Sequence, residues 1–241
     1  MPRKRRGWEP NASYHITHRC HDQQFLFRFK KYRAFYFRRL AEGVRRYDMD
    51  VLNYICTGNH VHILVAARRG PEISAAIRYV HGRIAQWHNK ERGQAGAFWN
   101  GRFHTTRIQN GRHLSHCLLY IDMNMVRAGA VTHPEQWEYS AWPELTGNRQ
   151  RYRIINMERL LSCLEMKDEA AFREWHNRSI NELLSLKKLP REPFWSSALA
   201  VGDREWLEEW AAVRRRKRHR IIEADSVCYL ENKGGPLSAN E

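Results

Sequence analysis

The sequence predicts an α+β fold built in the order β-α-β-β-α-β, with a further helix after the last strand. Three observations support this prediction. Short segments alternate apolar and polar residues as strands do, longer segments between them repeat apolar residues at helical spacing, and turn residues join the two middle strands directly. The sheet is therefore expected to be antiparallel, with a hairpin between its second and third strands.

Strand-like alternation marks four segments, at residues 14–19, 51–56, 60–66 and 98–108. The second and third segments are joined by Thr57-Gly58-Asn59, which is turn chemistry, so these two strands are expected to pair as a hairpin. Gly101 lies inside the fourth segment, and glycine inside a strand marks a bend or a bulge. The fourth strand is thus expected to bend there.

Helical spacing of apolar residues marks residues 29–47 and a second segment that runs from Pro71 to about Arg92. Proline fits the first turn of a helix because its missing N–H has no partner to lose there. A third helix is expected from about residue 111 to residue 127. This order is the ferredoxin-like split arrangement, whose two helices cover one face of the sheet and leave the other face for a site and for the third helix.

With 241 residues, the chain is long enough for one good-sized domain and an appendage. We expect a catalytic domain at residues 1–145 and a basic, mainly helical C-terminal extension with a disordered tail at residues 146–241. Within the extension, Asp203 is a candidate cap for a helix. The residues Trp206, Trp210 and Val213 would form its narrow apolar stripe.

A large excess of positive charge points to a polyanionic partner. The formal net charge is +15 at pH 7, and the sequence pI is about 10.0. Phosphates are the commonest polyanion in a cell, so nucleic acid is the expected partner. The alternative, an anionic membrane surface, would call for a basic amphipathic helix with a broad apolar face, which the sequence does not suggest. Charge alone does not separate catalysis from binding.

The five cysteines are scattered, odd in number and never in a Cys-x-x-Cys pair. This distribution argues against a disulfide framework or a zinc ribbon. No apolar run is long enough to span a bilayer, and the basic N-terminal residues lack the apolar stretch of a secretory signal. We therefore expect a cytoplasmic protein with reduced, mostly buried thiols.

Two histidines that lie two residues apart form the most informative motif. Side chains alternate faces along a strand, so His60 and His62 share one face. The apolar residues Val61, Ile63 and Val65 share the other face. Spacing alone favours a pair of partly exposed imidazoles that are hydrogen-bonded to neighbours. The tight turn before the pair and the apolar residue between its members favour a metal site, which would need at least one more ligand.

The third predicted helix supplies a candidate nucleophile and a candidate third ligand one turn apart. At 3.6 residues per turn, one sector about 80° wide collects His113, His116, Tyr120, Asn124 and Arg127. Tyr120 by itself would more often be a packed aromatic, and Asn124 a simple hydrogen-bonding residue. Together with the histidine pair, they favour a site in which Tyr120 attacks and Asn124 helps to bind a metal ion.

Three segments of this sequence resemble a known family. They are Asn59-His60-Val61-His62-Ile63-Leu64-Val65, Gly101-Arg102-Phe103, and Tyr120-Ile121-Asp122-Met123-Asn124-Met125-Val126-Arg127-Ala128-Gly129. They resemble the single-tyrosine transposases with a His-hydrophobic-His motif, and most of all the REP-associated tyrosine transposases, relatives of the small single-strand insertion-sequence transposases. The resemblance runs from about Tyr14 to Trp142. One departure is Met125, because the family often has proline after the asparagine.

The resemblance implies a reaction and a ligand set. His60, His62 and Asn124 would hold a divalent ion, Mg²⁺ or Mn²⁺, and imidazole ligands suit Mn²⁺ better. Tyr120 would attack a DNA phosphorus and form a 5′-phosphotyrosine link with a free 3′-OH, which a second 3′-OH could reverse to join new strands. The substrate would be single-stranded DNA that carries a hairpin flanked by a short unpaired tetranucleotide.

Basic residues from four places in the chain are the candidate DNA contacts, namely Arg3, Lys4, Arg5, Arg6, Arg102, Arg127, Arg214, Arg215, Arg216, Lys217 and Arg218. Any one of these runs could instead be a solvated face, and the N-terminal cluster could equally be a disordered tail. Neither a membrane nor a small-molecule cofactor is expected as a partner. The long extension favours a monomer over a homodimer with swapped tyrosine helices.

Two other readings use the same scaffold. A non-catalytic DNA-binding or regulatory protein is one, but it would have no need of the whole set of Tyr120, His60, His62 and Asn124. A replication-initiation or conjugative nickase is the other. The short chain and the Tyr-x-x-x-Asn spacing favour the transposase over the nickase.

Overall fold

The computed structural model describes residues 6–149, 153–186, 189, 192–214, 219–224 and 227–232. The strands in these ranges are β1 (Ser13–Arg19), β2 (Asp50–Cys56), β3 (His60–Ala66), β4 (His104–Ile108), β5 (Ala200–Gly202), β6 (His219–Ala224) and β7 (Val227–Asn232). The helices are α1 (Lys30–Tyr47), α2 (Pro71–Arg92), α3 (Arg112–Asp122), α4 (Asn124–Arg127), α5 (Trp142–Leu145), α6 (Met157–Leu164), α7 (Glu169–Ser185), α8 (Phe194–Ser197) and α9 (Arg204–Val213). Among these helices, none has the length and apolarity that crossing a bilayer requires.

The first six elements follow the predicted order β-α-β-β-α-β, which confirms the α+β fold class. Both β3 and α2 have the bounds that the sequence predicts. Pro71 occupies the first turn of α2, and Gly93 ends that helix at φ +58°, a conformation that glycine adopts without strain. Local sequence signals therefore suffice to define these two elements.

The fourth strand is shorter than predicted. Of the segment at residues 98–108, only the part from His104 onward pairs as a strand. Gly101 adopts φ +62° and turns the chain out of the ladder, and before it Trp99 makes an isolated bridge to Cys20. The predicted bend at Gly101 is thus the place where regular pairing is lost.

The predicted helix at residues 111–127 is interrupted once. Met123 has φ −79° and ψ 1°, outside the range of an α-helix, so α3 ends at Asp122 and α4 begins at Asn124. The side chain of Met123 is wholly buried, so the break lies where the chain packs into the core. The two predicted site residues of this segment consequently lie on successive helices.

The described strands form one sheet in the order β2-β3-β1-β4-β5-β7-β6. Neighbouring strands are antiparallel except for β4 and β5, which are parallel. The last three strands lie in the extension, where the sequence analysis predicted mainly helices. Because β5 is three residues long and depends on pairing with β4 and β7, its own sequence carries little signal.

The extension also contains the helix predicted after Asp203, which is α9. The Asp203 side chain makes no capping bond and instead accepts a hydrogen bond from Arg112 at 2.8 Å. Leu207 and Ala211 form the buried side of the helix. Val213, predicted to share the apolar stripe, is 84% exposed, because it lies two residues beyond Ala211 and so about 200° around the helix.

Different elements cover the two faces of the sheet. On one face, His18 of β1 hydrogen-bonds His81 of α2 at 2.8 Å, and Tyr36 of α1 hydrogen-bonds the same imidazole at 2.9 Å. On the other face, His15 of β1 contacts the backbone carbonyl of Trp195 in α8 at 2.8 Å. The latter face also carries His62 and is packed against α3, as the sequence predicts.

A buried carboxylate fixes the end of α3 over the sheet. The side chain of Asp122 accepts a hydrogen bond from Asn53 of β2 at 2.9 Å, and its second oxygen lies 2.8 Å from Nε2 of His176 in α7. Asn53 also donates to the carbonyl of Leu118 at 3.1 Å. All three polar side chains are buried, so each depends on the others for its hydrogen bonds.

We expect Asp122→Ala to lower the free energy of unfolding by about 3 kcal/mol, because it leaves His176 and Asn53 buried without their partner. The matched control is Glu174→Ala in α7, which removes an exposed pair with Arg178 and should cost less than about 1 kcal/mol. Urea unfolding followed by circular dichroism measures both values. Equal destabilisation by the two substitutions would contradict the anchoring role of Asp122.

Candidate active site

The structure brings the four predicted catalytic and metal-binding residues together. The ring centroids of His60 and His62 are 4.8 Å apart. The amide nitrogen of Asn124 lies 3.3 Å from Nε2 of His62, and the ring centroids of Tyr120 and His62 are 5.9 Å apart. The hairpin end that carries the histidines and the α3–α4 segment therefore meet on one face of the sheet.

Each histidine is held through its Nδ1 atom. Nδ1 of His60 lies 2.6 Å from Oδ1 of Asn59 and 3.0 Å from Oγ1 of Thr57, both in the turn before β3. Nδ1 of His62 lies 2.8 Å from Nε2 of His15 on the neighbouring strand. In both rings, the Nε2 atom remains for the site.

Burial keeps both imidazoles neutral near pH 7. It lowers the pKa of His60 to about 4, with a further contribution from the positive charge of Arg19. The pKa of His62 lies well below its ordinary value, again chiefly through burial and then through its neighbour His60. The neutral imidazole is the form that binds metal ions.

The phenol of Tyr120 is half-buried and covered by the extension. Burial raises the pKa of Tyr120, whereas a hydrogen bond that its oxygen accepts from the Ser196 side chain and the positive charge of Arg127 lower it in part. The guanidinium of Arg127 lies 4.5 Å from the centroid of the Tyr120 ring, and the ring of Trp195 lies 6.1 Å away. The hydroxyl is thus protonated at neutral pH and must lose its proton in order to attack.

The donor set at this site fits a divalent ion without a carboxylate. The described residues contain no group of three His, Cys, Asp or Glu side chains that could hold a metal. His60 and His62 offer two neutral imidazoles. The amide nitrogen of Asn124 faces Nε2 of His62, and rotation of this amide would present its oxygen, a ligand that Mn²⁺ and Mg²⁺ accept. The remaining positions would be left to water and to phosphate oxygens.

Three of the predicted DNA contacts surround a cavity of about 800 Å³, which Arg6, Arg102 and Arg214 line together with Arg107, Trp8, Tyr14, Phe103 and Trp210. The guanidinium of Arg6 lies 3.9 Å from the centroid of the Phe103 ring and donates to the Phe103 carbonyl. The guanidinium of Arg214 lies 4.7 Å from the centroid of the Trp210 ring and forms an ion pair with Glu9. Glu9 also forms an ion pair with Arg107, at 3.3 Å. We call this set the basic cavity.

The basic cavity opens on the face of the sheet opposite to the histidines. Tyr14 and Arg107 are cross-strand partners that line it, and they alternate with His15 and Thr106, which face the site. Arg127 belongs to the site instead, because it lies over Tyr120. The predicted contacts Arg3, Lys4, Arg5, Arg215, Arg216, Lys217 and Arg218 lie outside the described residues.

One residue of the predicted polar sector lies away from the site, and three residues outside that sector lie next to it. His113 is at the start of α3 and hydrogen-bonds Asp203 at 3.0 Å, because the helix carries its first turn away from the histidine pair. His15, Trp195 and Ser196 are also neighbours of the site, although their positions in the sequence do not predict it. His15 lies on β1, and no nearby residue indicates that this strand pairs with β3. Trp195 and Ser196 come from a segment about 75 residues after Tyr120.

Comparison with known proteins identifies the class of this fold. It is similar to the solved structure of a REP-associated tyrosine transposase bound to a REP hairpin, with a TM-score of 0.51, 18% identity, and coverage of 64% of this chain and 90% of that one. A protein of Deinococcus radiodurans R1 with a transposase assignment is also similar, at a TM-score of 0.36 and 14% identity, with 54% and 98% of the two chains covered. No protein of curated function matches the sequence.

Residues 9–124 match the model of the family described as "Transposase IS200 like". This segment is therefore similar to the IS200-like transposases, as the resemblance seen in the sequence predicted. DNA is the partner of such proteins, and cleavage and transfer of DNA strands is their general activity.

We expect the metal-free protein to lose stability as the pH falls from 6.5 towards 5. Burial lowers the pKa of His15 to about 3 and that of His60 to about 4, so the unfolded chain binds these protons first. Each such histidine contributes about 1.4 kcal/mol per pH unit. Urea unfolding at several pH values measures the slope. The number of protons that this slope reports should be about one smaller in His60→Ala, because this variant lacks one of the buried imidazoles. Equal slopes in the two proteins would contradict the assignment.

Proposed function

We propose that this protein cleaves and rejoins single-stranded DNA beside hairpin sequences, with Tyr120 as the nucleophile. The observation that supports it is the meeting of Tyr120 and Asn124 with His62 on one face of the sheet, at 5.9 Å between ring centroids and 3.3 Å between Nδ2 and Nε2. A protein that only bound DNA would not need a phenol beside two neutral imidazoles and an amide. The fold alone would permit either role.

The proposed reaction is a reversible transesterification. The phenolic oxygen of Tyr120 bonds to the scissile phosphorus while the bond from phosphorus to the 3′ oxygen breaks. The phenol gives up its proton, and the departing oxygen takes one up to become a free 3′-OH. The number of phosphate ester bonds is unchanged, so attack by another 3′-OH restores Tyr120 and joins two strands.

Residues around Tyr120 support this step in different ways. The guanidinium of Arg127, 4.5 Å from the ring centroid, stabilises negative charge on the phenolate and on the nearby phosphate. The hydroxyl must exchange its hydrogen bond to Ser196 for contact with the DNA. Rotation of the Ser196 side chain is therefore part of the proposed cycle.

His60, His62 and Asn124 are the proposed ligands of a divalent ion, on which transposases of this family generally depend. When bound, such an ion polarises the scissile phosphate and offsets charge on the departing 3′ oxygen. Two imidazole ligands make Mn²⁺ a better match than Mg²⁺. The low pKa of His60 means that the chain itself need not release a proton from this ring when the ion binds near pH 7.

The basic cavity is the proposed contact for the DNA backbone and for an unpaired base. Arginines bind phosphates, and aromatic rings such as those of Trp8 and Phe103 stack on bases without requiring one sequence. The REP-associated tyrosine transposase of similar fold is bound to a REP hairpin, which supports a hairpin as the DNA element. Because the cavity and the histidines lie on opposite faces, DNA that touches both must pass around an edge of the sheet.

We expect Tyr120→Phe to abolish a covalent protein–DNA adduct and leave DNA affinity within about twofold, because only the attacking oxygen is lost. Tyr139→Phe is the matched control and should form the adduct normally. Denaturing gel electrophoresis with a labelled hairpin oligonucleotide and Mn²⁺ detects the link. An undiminished adduct in Tyr120→Phe would exclude the mechanism, and DNA binding without any adduct in the unmodified protein would favour the non-catalytic binder.

We expect Arg6→Ala to weaken hairpin binding and to reduce by about one the slope of log affinity against log salt, because one phosphate contact is lost. Arg178→Ala in α7 removes an equal charge from a residue that does not line the basic cavity and should leave the slope unchanged. Fluorescence anisotropy from low to moderate salt measures both. Identical slopes in the two variants would exclude Arg6 as a phosphate contact.

A further inference from the structure

A chain of hydrogen bonds runs across the site-facing side of the sheet and ends on His62. Nδ1 of His15 lies 2.8 Å from the backbone oxygen of Trp195, and Nε2 of the same ring lies 2.8 Å from Nδ1 of His62. At the far end, Nε2 of His62 lies 3.3 Å from the amide nitrogen of Asn124. His15 is wholly buried, so water does not compete for either of its nitrogens.

The groups at the two ends of this series of hydrogen bonds determine which ring nitrogens of His15 and His62 carry protons. A carbonyl oxygen can only accept, so Nδ1 of His15 must carry a proton and donate it to Trp195. At the other end, the amide nitrogen of Asn124 can only donate, so Nε2 of His62 accepts and the proton of that ring is on Nδ1, which donates to Nε2 of His15. Nε2 of His62 is then left with its lone pair facing the site.

The geometry of the two rings supports a directional bond. Their planes differ by 13°, and their centroids are 5.0 Å apart, while the bonded nitrogens are 2.8 Å apart. The rings therefore meet edge to edge in nearly one plane, where an N–H points along the lone pair of its partner. Such a bond sets the orientation of the His62 ring as well as its tautomer.

We propose that His15 and the carbonyl of Trp195 form a relay that locks His62 in the Nδ1–H tautomer, with Nε2 ready to bind the divalent ion. The metal-binding part of this inference rests on the proposed function, whereas the tautomer does not. His15 is then a positioning residue, since it acts through His62. The C-terminal extension contributes one backbone oxygen to this relay.

A purely structural role for His15 makes a different prediction. The carbonyl of Trp195 also accepts from Oγ1 of Thr106 at 3.0 Å, so the contact serves to hold α8 on the sheet as well. A group that only held α8 could be replaced without changing the proton position on His62. Thr106→Val therefore gives a matched control, because it removes a hydrogen bond to the same carbonyl and leaves His62 untouched.

The first test is nitrogen-15 NMR of the histidine rings in the metal-free, full-length protein. We expect both His15 and His62 to be Nδ1–H tautomers, in the unmodified chain and in Thr106→Val. In His15→Phe, His62 should become a mixture or the Nε2–H form. A proton on Nε2 of His62 in the unmodified protein would overturn the relay, and this measurement requires neither a metal ion nor a variant that folds.

The second test is Mn²⁺ affinity by titration calorimetry without DNA. We expect His15→Phe to bind Mn²⁺ 10- to 100-fold more weakly, the usual loss for a residue that orients a metal-ligating histidine. His15→Gln should stay within about threefold of the unmodified protein, because an amide oxygen can accept from Nδ1 of His62. Unchanged affinity in His15→Phe, or equal losses in the two variants, would overturn the positioning role.

One further variant separates failure of the relay from failure of the proposed function. His62→Ala should abolish Mn²⁺ binding if His62 is a ligand. If its affinity equals that of the unmodified protein, the proposed metal site is wrong, and so is the metal-binding part of the inference. The NMR result on the metal-free protein then still decides whether the relay sets the tautomer of His62.

Discussion

The packing of α3 on the sheet is the constraint on which the site depends. Asp122 secures this packing, because its two oxygens join the helix to Asn53 of β2 and to His176 of α7 inside the protein. With that end of α3 fixed, Tyr120 lies about half a turn before the anchor and Asn124 directly after the break in the helix. A buried polar cluster outside the reacting groups thus determines where those groups stand.

Local sequence signals predicted part of the structure well. The bounds of β3 and α2 agree with the prediction because alternation, a first-turn proline and a terminal glycine act within a few residues. The same reasoning extended β4 too far and missed the break at Met123. The break lies at Met123, whose side chain is wholly buried in the core, so it has no signal in the nearby sequence. The strand β4 is shorter because the predicted bend at Gly101 ends regular pairing altogether.

The proximity of the proposed site residues was predicted to a similar degree, whereas their roles stay a prediction. His60, His62 and Asn124 share a face or a turn, so spacing alone brings them into consideration, and the structure places them in contact. His15 and Trp195 had no such signal, because their relation to His62 arises from strand order and from the return of the chain after α7. Residues that hold a ligand by long-range contacts are the ones that periodicity does not identify.

The extension contributes in two opposing ways at the site. The side chain of Ser196 bonds Tyr120, which ties up the nucleophile, while the carbonyl of the preceding Trp195 supports His15. The short helix α8 therefore restrains Tyr120 and, through His15, also helps to orient His62. Any displacement of α8 that exposes Tyr120 would have to leave that carbonyl in place, for example by rotation of the Ser196 side chain alone.

The parallel pairing of β4 with β5 has a consequence for solubility. The amides of Arg107 and Gln109 donate to the carbonyls of Leu199 and Val201 at 3.0 Å each. Without those partners, β4 would be an open sheet edge, and unpaired edges are where chains associate into aggregates. Because β5, β7 and β6 continue the sheet, its open edge on this side is β6 and not β4. The β6 strand carries exposed charged residues such as Arg220 and Glu223, which disfavour pairing with another chain, so the extension shields the domain from self-association.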